Sequence, residues 1–329
     1  MDLLITPDVF KIIYELLSFM NQINLRLVSK YFMINYPITN LFDDDSSTGM
    51  LVCFNQMINP MDHPQYLNKL TDEILSSYTH IIKLNASSNI KITMLNHLTK
   101  LQVLYVADNS GVNDMGLNKL INITELSANF NSKITDINHM PNLRILHAQG
   151  NCGIGTNGFS KLTNLTELNA GYNNKITNIN HLTKLRILNA CDTCGIDTNG
   201  FSQLSNLIEL NIGFNNKITN VNHLINLQSL NVRYNCGISD DGLSKLTNLT
   251  ELNARDNNKI TNVNNLTNLR ILYAEDNCGI GDDGLLRLTN LTKLNTRNNK
   301  KITNINHLIN LRFLDSSIIE YNKIKKIDR

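Results

Sequence analysis

The sequence predicts an α/β solenoid of about twelve stacked coils, with a parallel sheet on its concave face and a small helical segment in front. Three observations carry this. A segment of the form L-x-x-L-x-x-L-x-A-x-x-N begins at Tyr78, Leu98, Leu120, Met140, Leu162, Leu182, Leu204, Leu224, Leu246, Leu266, Leu288 and Leu308. The spacing alternates between 20 and 22 residues, so the wording returns every 42. Within each unit the apolar residues at positions 7 and 9 are two apart, which is the period of one face of a strand. A period in this range is the mark of a repeat architecture, in which each unit buries its apolar side only by stacking on the next. The expected organisation is 1–42, 43–77 and 78–329.

Residues 1–42 break from the repeat. Thr6, Pro7 and Asp8 make a helix start: a capping hydroxyl, a proline suited to the first turn and an acid beside it. Val9, Ile12, Ile13, Leu16 and Leu17 follow as a helical stripe, and Ile23, Leu25, Leu27, Val28 and Phe32 form a second one. Helices this short cannot bury their apolar faces alone, so they need a partner or the neighbouring repeat. Residues 43–77 open as a linker, Asp43-Asp44-Asp45-Ser46-Ser47. Leu67, Leu70, Ile74 and Leu75 then predict a short helix that caps the first coil.

In residues 78–329, positions 4 and 7 are Leu or Ile and position 9 is small, as at Ala86, Ala128, Ala170 and Ala254. Position 12 is Asn in ten of twelve units, including Asn109, Asn151, Asn173, Asn235 and Asn277. An inward ladder of Asn that satisfies backbone groups is expected there. Ile at position 15 closes the far side of the core. The longer units repeat Gly at position 14 (Gly111, Gly153, Gly195, Gly237, Gly279) and at position 19 (Gly116, Gly158, Gly200, Gly242, Gly284). Glycine at fixed points implies special backbone angles or close packing. The longer unit has room for a turn of helix, the shorter one only for an extended or 3₁₀ segment.

The unit resembles the leucine-rich repeat. The 22-residue form, N-C-G-I-S-D-D-G-L at Asn235 to Leu243, is similar to the cysteine-containing subclass, with the Cys displaced by one position; the 20-residue form resembles the short N-x-K-I-T-x-I class. The fold this implies is a leucine-rich-repeat horseshoe of 20/22-residue coils. The N-terminal wording P-D-V-F-x-I-I-x-x-L-L-S-F … L-V-S-K-Y-F resembles an F-box, matching at Pro7, Val9, Ile12, Leu16, Leu27, Val28 and Phe32. In that family these positions pack against a Skp-type adaptor and link it to a cullin ubiquitin ligase. The resemblance therefore implies a non-enzymatic substrate receptor of an SCF-type ligase, whose repeats bind a protein target. The other reading is a repeat scaffold whose N-terminal helices are only a cap. Two departures separate the segment from the F-box pattern: Thr6 stands where Leu is usual, and the spacing from Pro7 to Val28 is a couple of residues short. The Asn-rich wording, 54 of 329 residues, and the 42-residue duplications resemble F-box/leucine-rich-repeat proteins of giant viruses of amoebae. The expected location is the cytoplasm or nucleus; in the viral case the adaptor and that compartment would be the host cell's.

Bulk composition narrows the alternatives. The net charge is +2 with no long block of one sign, which implies neither nucleic acid nor a membrane surface as partner. No basic leader precedes an apolar run at Met1-Asp2-Leu3-Leu4. Cys152, Cys194, Cys236 and Cys278 recur 42 residues apart, too far to bridge, and read as buried thiols. His97, His139, His181, His223 and His307 share position 20, but successive members stand about 10 Å apart, too far to share a metal ion. The five N-x-T sites fall out of the L-T-N-L-T wording, and Cys191 and Cys194 are a lone C-x-x-C. No nucleophile motif or phosphate loop is present, so no catalytic residue, cofactor or metal is expected.

The functional question then moves to the surface. Positions 6, 8 and 10 face away from the core, and positions 10 and 11 vary most between units. Aromatic and Arg side chains are the usual anchors of protein interfaces. Phe130, Tyr172, Phe214, Arg233, Tyr234 and Arg255 are therefore the expected target-binding residues of the concave face.

Overall fold

A computed structural model describes residues 71–76, 79 and 81–317. The F-box-like positions Pro7, Val9, Ile12, Leu16, Leu27, Val28 and Phe32 lie outside the described residues, as do Leu67 and Leu70. The chain divides into two compact units, Met1–Ile134 and Thr135–Arg329.

The first unit holds helix α1 (Asp72–Ser76), strands β1 (Lys83–Asn85) and β2 (Val103–Tyr105), helix α2 (Asp114–Leu117) and strand β3 (Glu125–Ser127). β1 pairs in parallel with β2, and β2 with β3. The second unit holds β4 (Ile145–His147), β5 (Glu167–Asn169), β6 (Ile187–Asn189), β7 (Glu209–Asn211), β8 (Ser229–Asn231), α3 (Asp240–Leu243), β9 (Glu251–Asn253), β10 (Ile271–Tyr273), β11 (Lys293–Asn295) and β12 (Phe313–Asp315). Each of these strands pairs in parallel with the next one in sequence. The predicted solenoid of 20- and 22-residue coils is thus what forms. Its helical content is small: the longer coils carry a single turn, α in two and 3₁₀ at Thr156–Phe159, Asn199–Phe201 and Asp282–Leu285.

Strand length follows from position. Only positions 6 to 8 are strand, with the middle Leu buried and its neighbours on the opposite face. Position 9 turns back into the core: Ala128, Ala170, Ala190 and Ala254 are fully buried. Ile134, Ile154, Ile176, Ile218, Ile260 and Ile302 at position 15 are also fully buried, closing the far side as expected.

The Asn ladder is built differently from the expectation. In the shorter coils position 12 is inward, and Asn131, Asn173, Asn215, Asn257 and Asn299 are buried. Asn173 donates to the Ala148 and Ile154 carbonyls at 2.8 and 3.0 Å and accepts the Lys175 N–H at 3.0 Å. In the longer coils Asn109, Asn151, Asn235 and Asn277 are exposed, and position 13 takes the buried slot with Ser110, Cys152, Cys194, Cys236 or Cys278. The cause lies at position 11, which has left-handed backbone in both coil types, from φ 55° at Asp256 to 62° at Asn298, and 63° at Gly150. A longer coil spends one further residue after this turn before returning to the core. The displaced Cys is therefore the structural equivalent of the Asn. Its carbonyl is capped from the next coil: Lys175 Nζ donates to Cys152 O at 3.1 Å, and Lys217 Nζ to Cys194 O at 3.2 Å.

The recurring glycines are forced by backbone proximity. A Cβ on Gly195 would stand 2.5 Å from the Asn174 carbonyl oxygen, and one on Gly200 would run into the Thr177 carbonyl. The position-20 histidines tie the helical turns to the following coil: His97 and His307 donate from Nε2 to the Leu75 and Leu285 carbonyls at 2.9 and 3.0 Å. His181 and His223 face Phe159 and Phe201 more loosely. Their Nε2 atoms are buried without a well-formed hydrogen bond, and their rings lie 5.7 and 5.3 Å from the phenyl rings.

Helix α1 fits the same plan. Asp72 accepts from the Thr93 and Met94 N–H groups at 2.8 and 3.1 Å, as Asp240 does from Thr261 and Asn262 at 2.7 and 3.1 Å. Leu75 is fully buried, and its carbonyl takes the His97 bond. The helix expected to cap the first coil thus occupies the place of a longer coil's helical turn.

Candidate protein-binding face

The sequence-predicted residues sit beside the strands rather than on them. Phe130, Tyr172, Phe214 and Tyr234 all occupy the left-handed position 11, with φ of 57°, 61°, 62° and 62°. Arg233 and Arg255 occupy position 10, just before that turn. The turn is held from the strand: Asn231 Oδ1 accepts the Arg233 N–H at 3.2 Å and Asn253 Oδ1 accepts the Arg255 N–H at 3.1 Å. This is the local bond by which Asn stabilises a turn, and it accounts for the Asn column at position 8. The aromatic groups consequently line the rim at the C-terminal ends of the strands.

A left-handed conformation costs a non-Gly residue roughly 1 kcal/mol, and bulky residues are uncommon there. Phe130, Tyr172 and Phe214 hold it while 53%, 51% and 44% exposed. Their rings are not sunk into a core that would offset the strain. Strain carried by exposed aromatic groups is a reason to look for a surface role.

The structure brings three of the six predicted residues together in the second unit. Phe214 and Tyr234 stack at 4.0 Å between centroids with their planes 17° apart, and the Arg233 guanidinium lies 5.3 Å from the Tyr234 centroid. Arg233 Nε is buried and makes no hydrogen bond. Arg255 lies alongside in an ion pair, Nε to Asp276 Oδ2 at 2.7 Å, with both side chains partly exposed. Such a pair contributes about 0.2–1 kcal/mol. Hydrogen bonding from Asn298, and then the Arg255 guanidinium, holds the Asp276 carboxyl below its ordinary range. Beside the stacked pair a hollow of about 700 Å³ is lined by Asp256, Asp276, Asn298, Lys300 and Lys301. Tyr172 stands apart, and its hydroxyl bond to Asp192 raises its pKa. Phe130 belongs to the first unit.

The face of the sheet proper is plainer. Glu167, Glu209 and Glu251 alternate along it with Ile187, Ser229 and Ile271. Tyr105 donates to Glu125 at 2.6 Å; burial, then that bond, pushes the phenol up to about 12. Tyr273 lies 5.1 Å below Lys293 Nζ.

The thiols are unsuited to chemistry. Burial pushes Cys152, Cys194, Cys236 and Cys278 up to about 11, and burial together with Asp192 pushes Cys191 up to about 12. Among the described residues no group of three or more His, Cys, Asp or Glu side chains is placed to hold a metal ion. Among the same residues no helix is long and apolar enough to cross a membrane.

Residues 141–184 match the family model of leucine-rich repeats, two copies. The leucine-rich-repeat fold extends further along the chain. An internalin (InlF) from Listeria monocytogenes superimposes with a TM-score of 0.55 over 79% of this chain and 88% of that one, at 24% identity. The functional domain of InlJ from the same organism, described as including a cysteine ladder, matches with a TM-score of 0.46 over 76% of this chain and 67% of that one, at 20% identity. No curated protein matches the sequence. Leucine-rich repeats most often serve as binding surfaces, which agrees with a site made of anchors instead of reactive groups.

The sequence reading missed a second set of side chains. At position 5, just before the strands, Arg144, Arg186, Arg270 and Arg312 recur in the wording L-R-I-L or L-R-F-L, and all four are exposed. The signal was the recurrence of Arg in that column, where Thr, Gln or Ile fills the other coils.

Proposed function

We propose that this chain is a non-enzymatic receptor that holds a protein target on its repeats and presents it to an SCF-type cullin ubiquitin ligase. The observation that carries the target-binding half is the Phe214–Tyr234 stack with Arg233 over it. Phe214 is exposed and Tyr234 half-buried against it, beside a guanidinium whose Nε has no bond inside the protein. The F-box-like wording at Pro7, Val9, Ile12, Leu16, Leu27, Val28 and Phe32 supports the adaptor half, with a Skp-type protein as its partner. Helix α1 bonds to the first coil through the Asp72 carboxylate and the Leu75 carbonyl, so the repeat pattern itself reaches back to Asp72.

Two measurements separate the halves. The full chain and a truncated chain starting at Leu51 are each offered to a purified Skp-type adaptor. Binding by the full chain alone is expected; binding by neither returns residues 3–36 to a capping role and leaves a scaffold. For the face, Phe214→Ala/Tyr234→Ala is compared with the unaltered chain in partner capture. Loss of specific partners is expected, and unchanged capture of all of them removes the site assignment.

A further inference from the structure

The edge of the sheet opposite the aromatic rim carries a groove. In the second unit it has a volume of about 810 Å³ and is lined by Lys184, Arg186, Arg270, Gln228, Ile208, Thr250 and a row of Asn. A smaller hollow of about 270 Å³, reaching Arg312, shares Asn268 and Arg270 with it. Neither is lined by an acidic side chain. Arg144, Arg186 and Arg270 make no ion pair and no side-chain hydrogen bond among the described residues. Lys184 Nζ is spent on Asn164 Oδ1 at 2.7 Å. Two exposed guanidiniums with no partner thus face one groove.

Their spacing is set by the repeat. Arg270 and Arg312 are two coils apart and Arg186 and Arg270 are four apart, which is about 10 and 20 Å at the usual strand spacing. A polypeptide in the polyproline II conformation advances about 9 Å in three residues and turns the same side outward at every third one. Carboxylates at that spacing would meet successive guanidiniums, each able to take a carboxylate with two parallel bonds.

The Asn row says what else the ligand carries. Asn206, Asn226, Asn248 and Asn268 donate their amide nitrogens to the Thr183, Ser205, Ile225 and Thr247 carbonyls at 2.8, 3.2, 2.9 and 2.8 Å. Each keeps a carbonyl oxygen as an acceptor and one amide N–H as a donor at the groove. A peptide backbone supplies a matching N–H and C=O at every residue, whereas nucleic-acid phosphates are acceptors only and the ribose hydroxyl of RNA is its one backbone donor. The Glu167, Glu209 and Glu251 column lies one residue further along the strands and opposes a uniform polyanion.

We propose that this groove binds an extended acidic peptide segment of a protein partner, its carboxylates on Arg186 and Arg270 and its backbone N–H groups on the Asn row. The inference rests on the protein-binding reading above but uses the opposite edge of the sheet. The probe is a fluorescein-labelled peptide of six Glu-Ser-Thr repeats, titrated with the full chain and followed by anisotropy. Saturable binding that weakens about tenfold or more in Arg186→Glu/Arg270→Glu, and weakens as salt is raised, is the expected result. Arg186→Gln/Arg270→Gln should weaken it in the same direction, and far-UV circular dichroism checks that both variants fold. The proposal is overturned if the peptide does not bind, if the Arg variants bind it like the unaltered chain, or if labelled oligouridylate binds as tightly at the same site. Phe214→Ala/Tyr234→Ala should leave peptide binding unchanged. If that variant alone abolishes it, the groove assignment fails while the aromatic face stands.

Discussion

Asparagine at a repeated position acquires its role from backbone groups nearby. Asn215 gives its amide to the Ala190 and Ile196 carbonyls at 2.8 and 3.1 Å and takes the Lys217 N–H at 3.0 Å. Alanine there leaves two carbonyls and one N–H buried without partners. An uncompensated buried polar group costs roughly 1–3 kcal/mol. We expect Asn215→Ala to lower stability by about 3 kcal/mol, read as a drop in the urea midpoint. Asn235 occupies the same numbered position one coil on, yet is exposed. Asn235→Ala should therefore move the midpoint by no more than about 0.5 kcal/mol in equivalent free energy. Equal effects of the two substitutions would remove the distinction between inward and outward slots. The sequence could not show it, because both residues follow the same L-x-x-L-x-x-L-x-x-x-x wording.

At the level of the coil, the strand, the left-handed turn and the helical turn each answer to one constraint. The strand is short because only its middle Leu is buried between two outward neighbours. The helical turn of the longer coil sits so close to the preceding coil that position 19 admits no side chain, and the Gly200 carbonyl accepts the Ile179 N–H at 2.7 Å. Since the obstacle to a Cβ is the Thr177 carbonyl, backbone would have to move. Gly200→Ala should destabilise by about 3 kcal/mol, the upper end for forcing extra volume into a packed site. Chemical denaturation tests this, and a loss below about 1 kcal/mol would mean that the coil yields easily. The glycines were legible as invariant points of the repeat, and so was the helical turn of the longer coil. The left-handed turn was not, because its occupants range over Ser, Asp, Phe, Gly, Tyr and Asn. That is why the aromatic anchors were expected on the concave face and stand instead on its rim.

For the whole molecule, the recurring buried titratable groups act together on stability. Burial holds His181 and His223 below the ordinary 6.5, opposed in part by the Phe159 and Phe201 carbonyls. A lowered histidine pKa means that the unfolded chain binds protons first as pH falls, so stability is lost below about pH 6.5. The thiols work in the other direction. Cys152, Cys194, Cys236 and Cys278 rise from 9.0 to about 11, so the unfolded chain releases protons first and stability is lost above about pH 9. Urea midpoints measured across pH should form a plateau from about 7 to 8.5 with a fall on each side. His181→Gln/His223→Gln should flatten the acid side, and an unchanged acid limb would show that other groups control it. The same burial predicts the chemistry of these thiols. Iodoacetamide at pH 8 should reach none of Cys152, Cys191, Cys194, Cys236 and Cys278 in the folded protein and all of them in urea, as read by peptide mass spectrometry. Rapid labelling of any one under native conditions would contradict its place in the core.

The sequence by itself determined the coil. A fixed period with Leu at positions 4 and 7, a small residue at 9 and Ile at 15 leaves one way to bury the apolar side, which is to stack parallel strands. Burial of the cysteines and close packing at the glycines also followed from spacing. Tertiary structure alone decided which of two adjacent residues points inward after the turn, because that depends on how many residues the chain spends before re-entering the core. It also decided that Phe214, Tyr234 and Arg233 meet, and that Arg186 and Arg270 face one groove across four coils. Phe214 and Tyr234 are 20 positions apart and Arg186 and Arg270 are 84 apart, and only the pitch of the stacked strands brings each pair within reach of one ligand.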